Sequence, residues 1–338
     1  MFAMRFATLA TLAALSLSLA SAQTPAEFYA GKSLDLHIGY SVGGGYDLYA
    51  RMLARHIGKY IPGNPTVVPK NMAGAGSLRL ANWLYNVAPR DGTVLGAISR
   101  GAAFDPLLDD KAPQFDATKF TWIGSANNEV SVCAAWHTSG ITRFEDLATK
   151  ELTIGSTGAG DDTYQFARVL SGLFGAKIRI VTGYPGGADV LLAMERGEVQ
   201  GRCGWSWSSV KANHLHWVRD KKIVILMQLA LSRHPDLADV PLVTDLATTD
   251  EQRQALKLIF ARQVMGRPYV GPPGIPQDRT AALRKAFMET MNDKELLADA
   301  EKATFEITPV AGDELERLVS DIYRTPPEVV KKAAQLIK

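Results

Sequence analysis

Residues 39–47 read Gly-Tyr-Ser-Val-Gly-Gly-Gly-Tyr-Asp, and their reading decides how the rest of the chain is parsed. Before them, Leu34, Leu36 and Ile38 alternate with polar residues at the period of a strand; after them, Leu48, Met52, Leu53, Ile57 and Ile61 recur at helical spacing, with Asp47 as the expected N-cap. Three consecutive glycines weaken any regular element, so a chain that keeps them needs positive φ angles or a backbone bare of side chains for something to approach. At a strand-to-helix junction the first N–H groups lack intrahelical partners and the helix dipole is positive, a setting that suits an anion. The segment fits neither the phosphate loop Gly-x-x-x-x-Gly-Lys-Ser/Thr nor the dinucleotide loop Gly-x-Gly-x-x-Gly, which leaves a carboxylate or small oxyanion; a tight turn without ligand is the alternative.

The same arrangement recurs about 110 residues later, where a strand over Leu152 to Gly155 runs into Ser156-Thr157-Gly158-Ala159-Gly160-Asp161-Asp162 and then a helix. Two such loops suggest two lobes facing one ligand. Glycine turns at Gly74-Ala75-Gly76-Ser77 and Gly183-Tyr184-Pro185-Gly186-Gly187 would share the carboxyl edges of the sheets, where open α/β sheets bind ligands, or else be plain βα connections. Further strands are expected at Thr66 to Pro69, Val94 to Ile98, Val130 to Ala135, Ile178 to Val181, Gln200 to Gly204 and Ile223 to Gln228. Helices are expected from Thr163 to Phe174 with Gly175 as the stop, after Asp313 as a cap, and after Pro326-Pro327 with Val330, Ala333 and Ile337 on one face. This alternation argues for an α/β fold with mostly parallel sheets.

Met1 to Ala22 reads as a secretory signal, with Arg5 in the positive region, an Ala/Leu-rich core and Ala20-Ser21-Ala22 as a small-x-small site cut after Ala22. A periplasmic or secreted protein is the expectation, with a membrane anchor as the competing reading. The 338 residues carry 37 basic and 35 acidic side chains without a dense basic run, which disfavours nucleic acid and anionic membrane as partners. Cys133 and Cys203 match no metal pattern and, in an exported chain, form a candidate disulfide; two separately buried thiols are the alternative.

The order of Val42-Gly43-Gly44-Gly45-Tyr46-Asp47, Asn71-Met72-Ala73-Gly74-Ala75-Gly76-Ser77, Ala88-Pro89-Arg90-Asp91-Gly92, Ile154-Gly155-Ser156-Thr157-Gly158 and Gly183-Tyr184-Pro185-Gly186-Gly187 resembles the extracytoplasmic solute receptors of tripartite tricarboxylate transporters, the Bug family. The resemblance covers nearly the whole chain after the signal. It implies an α/β two-lobed periplasmic binding protein of type II topology, which takes an organic carboxylate on backbone N–H groups of the first loops of both lobes and delivers it to a two-component membrane permease. This chain departs from the pattern in having Val42 where family members carry Pro, and Asn71-Met72-Ala73 where they carry Asn-Arg-Pro.

Lobe one is expected over 23–122 and 264–338 and lobe two over 123–263, in a monomer with no cofactor and no metal. The expected ligand set is Val42, Gly43, Gly44, Gly45, Tyr46, Asp47, Gly76, Ser77, Ser99 and Arg100, facing Ser156, Thr157, Gly158, Ala159, Gly160, Tyr184, Gly186, Gly187 and Trp205. Arg100 is a candidate for a second carboxylate, and Tyr46, Tyr184, Trp205 and Trp207 are candidates for an aromatic wall. A secreted hydrolase is the alternative from another class. Against it, Gly-x-Ser-x-Gly is absent, His214 and His216 lack an evident acidic or thiol partner, and Asp161-Asp162 read as ordinary capping residues.

Overall fold

The computed structural model describes residues 23–108 and 113–338; the expected signal sequence and its cut after Ala22 lie outside the described residues. In chain order the elements begin with α1 (Pro25–Tyr29), β1 (Ser33–Ile38), α2 (Gly45–Ile57), β2 (Thr66–Asn71), α3 (Leu78–Asn86), β3 (Val94–Ala97), α4 (Asp105–Leu108) and β4 (Thr121–Ser125). There follow β5 (Ser131–Trp136), β6 (Leu152–Gly155), α5 (Asp162–Phe174), β7 (Ile178–Val181), α6 (Gly187–Glu195), β8 (Gly201–Ser206), α7 (Trp207–Arg219), β9 (Ile223–Leu229) and α8 (Asp250–Phe260). The last elements are β10 (Pro268–Gly271), α9 (Gln277–Met291), α10 (Lys294–Lys302), β11 (Val310–Ala311), α11 (Gly312–Ile322) and α12 (Pro327–Ile337).

The strands form two sheets, ordered β11-β4-β10-β3-β1-β2 and β7-β6-β8-β5-β9. The expected parallel pairings hold between β1 and β2, β1 and β3, β6 and β7, and β6 and β8. Each sheet also takes an antiparallel strand that follows a crossing from the other half of the chain, β10 between β3 and β4 and β5 between β8 and β9, and β11 adds a second antiparallel strand at the edge of the first sheet, on β4. This interleaving is the type II arrangement. It places the strand-end loops of both sheets across one cleft.

Burial follows the sequence pattern. Leu34, Leu36 and Ile38 of β1 are buried against Tyr49 and Leu53 of α2 and Phe287 of α9. Fully burying each such aliphatic side chain contributes about 1.5–3 kcal/mol. A second cluster, with Val132, Trp205, Trp207 and Trp217, covers one face of the second sheet. Cys133 on β5 and Cys203 on β8 are bridged by a disulfide between neighbouring strands, as the sequence reading expected.

Several details differ from the sequence reading. Thr121–Ser125 lies wholly in the first sheet, so a lobe boundary at 122 would cut β4; the first crossing runs over 126–130. The last helix touches α4 of lobe one but lies mainly on the other half. It packs on α5 and α8, where Leu336 meets the bare backbone of Gly172. Asp313 sits in the first turn of α11 paired with Arg317 at 3.0 Å, and the helix begins one residue earlier, at Gly312.

Candidate functional site

The triple glycine ends in α2, whose N-cap is Gly44. Asp47 therefore does not cap through its position; it lies in the first turn and its carboxylate accepts the Gly43 N–H at 2.9 Å, Arg51 Nε at 2.9 Å and Asn71 Nδ2 at 2.8 Å. Only Gly43 of the three has a positive φ, +86°. Gly45 is kept bare for a different reason. A Cβ there would overlap the Ser209 hydroxyl and stand 3.0 Å from Arg267 Nη2, and one on Gly44 would lie 3.6 Å from the Gly187 nitrogen. What approaches this backbone is the other lobe.

Between the lobes lies a small cavity walled on one side by Tyr40, Gly44, Gly45, Tyr46 and Arg100, and on the other by Thr157, Asp161, Asp162, Thr163, Gly187, Arg202, Gly204, Ser206 and Ser209, with Arg267 at the return crossing. About 40 Å³ is open to the centre of a water-sized sphere. The lobes touch directly around it: the Tyr40 hydroxyl donates to Asp161 at 2.5 Å, Ser41 Oγ to Asp189 at 2.6 Å, and Lys211 pairs with Glu306. This is a closed arrangement. Burial, and then the Asp161 charge, hold the Tyr40 hydroxyl protonated far above the ordinary tyrosine range.

Three buried guanidiniums and a half-buried fourth, Arg202, dominate the site's electrostatics. Arg100 pairs with Asp162 and donates to Ser206 at 3.0 Å and Ser131 at 3.3 Å. Arg262 reaches the other Asp162 oxygen at 3.3 Å and Gln165 at 2.7 Å. Arg267 lies 3.3 Å from Glu129 and donates to Ser206, Ser208 and Ser209 at 3.0–3.2 Å. Arg202 donates to the Gly187 carbonyl at 3.2 Å and forms no ion pair among the described residues. Its pKa is pushed down to about 10, first by burial and then by the charges of Arg267 and Arg100, against the pull of Asp161. Arg100 Nη1, Arg202 Nε and Arg267 Nε are buried without a hydrogen-bond partner.

Of the residues expected from sequence, Gly44, Gly45, Tyr46, Arg100, Thr157 and Gly187 meet at this cavity. Gly43 and Trp205 line a second cavity beside it, which shares Gly44, Gly45, Gly187, Arg202 and Ser209 with the first. Val42 is exposed. The other positions support the wall from behind. Ser77 Oγ accepts the Ser99 N–H at 3.1 Å, Ser99 Oγ accepts that of Gly101 at 3.1 Å, Gly76 packs on Asp161, and Gly186 backs onto Ser41. Gly158, Ala159 and Tyr184 line an open groove outside the cavity, and Gly160 faces Asp105.

The second glycine loop works differently from expectation. Thr163 Oγ1 accepts the Thr157 N–H at 3.1 Å and Ser156 Oγ that of Gly158 at 3.3 Å, so these donors are spent inside the loop. Gly158 is bare because Ala75 lies against it, with 2.8 Å left for a Cβ. Trp205 is packed edge-on to Trp217 and His214, and the Trp207 indole donates to Asp236 at 3.1 Å; neither forms an aromatic wall in the main cavity. Sequence reasoning missed Tyr40, Arg202, Ser206, Ser209, Arg262 and Arg267. For Arg202 a signal existed: a lone arginine within a short strand otherwise made of small and apolar residues.

The sequence matches no protein-family model and no curated protein. Solved structures do match. The periplasmic binding protein BugD superposes with a TM-score of 0.73 at 18% identity, over 90% of this chain and 98% of that one. The chain has the periplasmic binding protein fold. MatC of Rhodopseudomonas palustris, solved with malate, matches at TM-score 0.70 and 17% identity over 91% of this chain and 99% of its own. Another R. palustris protein, solved with adipate, matches at 0.69 and 19% over 90% and 98%. The hydrolase alternative finds no support among these binding proteins of the same fold, and Asp161 and Asp162 are both engaged in the pairings above.

Proposed function

We propose that this chain is an extracytoplasmic solute receptor that closes on a small organic carboxylate and presents it to a membrane permease. The observation that carries the reading is the charge character of the interlobe cavity. The N-termini of α2 and α6, one from each lobe, meet there at Gly44 and Gly187, beside three guanidiniums with unpartnered N–H groups. Like partial charges brought together on closure repel one another, and a buried cation without a counter-ion is costly. An anion bound between the lobes removes both penalties, so ligand and closure favour each other.

The fold neighbours solved with malate and adipate support a carboxylate as the ligand. The reading further holds that the protein acts in the periplasm as a monomer after cleavage at Ala22, with the permease subunits of a tripartite tricarboxylate-type transporter as partners. The test is a thermal-shift screen of mono-, di- and tricarboxylates followed by calorimetry, with ligand recovery checked by mass. A receptor gains about 2.7 kcal/mol at 100 times the dissociation constant and returns its ligand unchanged. Turnover, or no stabilisation by any carboxylate, refutes it.

A further inference from the structure

We infer that the cavity selects a compact monoanion, of acetate to lactate size, and that Arg202 is the residue that holds its carboxylate. The inference rests on the receptor reading above and narrows it. Four guanidiniums gather at the site, Arg100, Arg202, Arg262 and Arg267, against three carboxylates, Glu129, Asp161 and Asp162. Arg100 and Arg262 share Asp162, Arg267 takes Glu129, and Asp161 is held by Tyr40 at 2.5 Å and by the Thr163 hydroxyl at 2.6 Å. Arg202 is left over. Among the described residues it has no ion-pair partner, and it sits at the N-terminus of α6, the end of a helix that least suits a cation.

The walls offer donors rather than acceptors. Ser206 Oγ accepts from Arg100 at 3.0 Å and from Arg267 at 3.1 Å, which leaves its own proton to donate elsewhere. Tyr46 accepts the backbone N–H of Arg100 at 3.0 Å and Ser209 accepts Arg267 at 3.0 Å, with the same consequence. Arg100 and Arg267, each 2% exposed, add one unpartnered nitrogen apiece. An acceptor-only group with a single negative charge satisfies this set. A second carboxylate would find no unpaired cation and would lie near Asp161 and Asp162, an arrangement whose desolvation nothing offsets.

Size points the same way. The cavity is small, about 40 Å³, which suits a carboxylate with few further substituents. Gly187 is the device that makes the head-group site. A Cβ there would stand 2.7 Å from Arg202 Nη2, so only glycine lets the guanidinium lie under the helix end.

Calorimetry on the purified protein with propionate, lactate, lactamide, malate, adipate and citrate tests the assignment. Propionate or lactate should bind at least tenfold tighter than malate, and lactamide should not bind. Arg202→Gln should weaken the monoacid at least 100-fold while the ligand-free protein melts at the same temperature or higher, because an unpaired, half-buried charge has gone; Arg202→Lys should recover part of the affinity. A dicarboxylate or citrate as the tightest ligand of the wild type, or Arg202→Gln within threefold of wild type, overturns the assignment and leaves the receptor reading standing. Failure of every carboxylate to bind overturns both. The ligand ranking needs no variant, so it decides even if Arg202→Gln folds poorly.

Discussion

Replacing Gly45 with alanine should separate folding from ligand capture. Gly45 is the first residue of α2 and needs no positive φ, so alanine suits the helix and gains about 0.5–1 kcal/mol over glycine there. The added methyl, however, points at the second lobe. It would overlap the Ser209 hydroxyl and stand 3.0 Å from Arg267 Nη2, a nitrogen already committed to Ser208 and Ser209. Overpacking of this kind costs about 1–3 kcal/mol, and the cost falls only on the closed state, where the lobes meet. Because ligand affinity is scaled by access to that state, the expected loss is about 5- to 150-fold. Calorimetry with the best carboxylate of the screen measures the loss, and a melt of the ligand-free protein measures the fold. Gly44→Ala is the control: its methyl would meet the Gly187 nitrogen at 3.6 Å, an ordinary contact, and should cost less than a factor of two. Wild-type affinity in Gly45→Ala, or equal losses in both variants, refutes the claim that the glycines are there for the other lobe.

Three further outcomes are expected. Removing the buried Cys133–Cys203 bridge by double alanine substitution should cost about 2–5 kcal/mol of unfolding free energy, and free thiols in the unreduced, denatured protein would contradict the bridge itself. Burial, with the nearby Arg202 charge second, pushes the His214 pKa down to about 4, so the folded protein binds fewer protons than the unfolded chain between pH 6.5 and 4. Its contribution is thus complete above about pH 6.5 and is lost as pH falls toward 4, and His214→Gln should flatten the melting-temperature profile over that window; an unchanged slope would exclude the mechanism. Tyr40→Phe removes the hydroxyl that crosses from one lobe to Asp161 of the other at 2.5 Å, and leaving a buried carboxylate oxygen unpaired should weaken ligand binding about tenfold in calorimetry, where an effect below twofold would speak against it.

How far the sequence could be read depended on how local the cause was. The eight expected strands formed because their alternation or their glycine boundaries lie within a few residues, as with Leu34, Leu36 and Ile38. β4, β10 and β11 escaped notice. Thr121–Ser125 is buried on both faces and so shows no alternation, Pro268–Gly271 opens on a proline and ends on a glycine, and Val310–Ala311 is two residues long. The glycine loops were legible as places of close approach, yet what approached them was not. Ser209, Gly187 and Arg267 arrive from distant parts of the chain through lobe packing, and no local pattern announces a meeting of that kind. The same limit explains the tryptophans. Trp205 and Trp207 follow a strand in the expected place, but the side of the sheet on which they pack is set by Val132, Trp217 and Leu237.

The seat of α12 on α5 and α8 changes the mechanics of opening. Besides the crossings over 126–130 and at the return into β10, the chain passes between the halves a third time, between the end of α11, which lies on β4, and the start of α12. That tether is the four residues Tyr323 to Pro326, which even fully stretched reach about 14 Å. A joint held at three points is stiffer than one held at two: its swing is bounded by the shortest strap, and its axis must pass close to all three. The two lobes should therefore open through a narrow, reproducible arc, and lengthening the strap, rather than altering the cleft, is the change that would widen it.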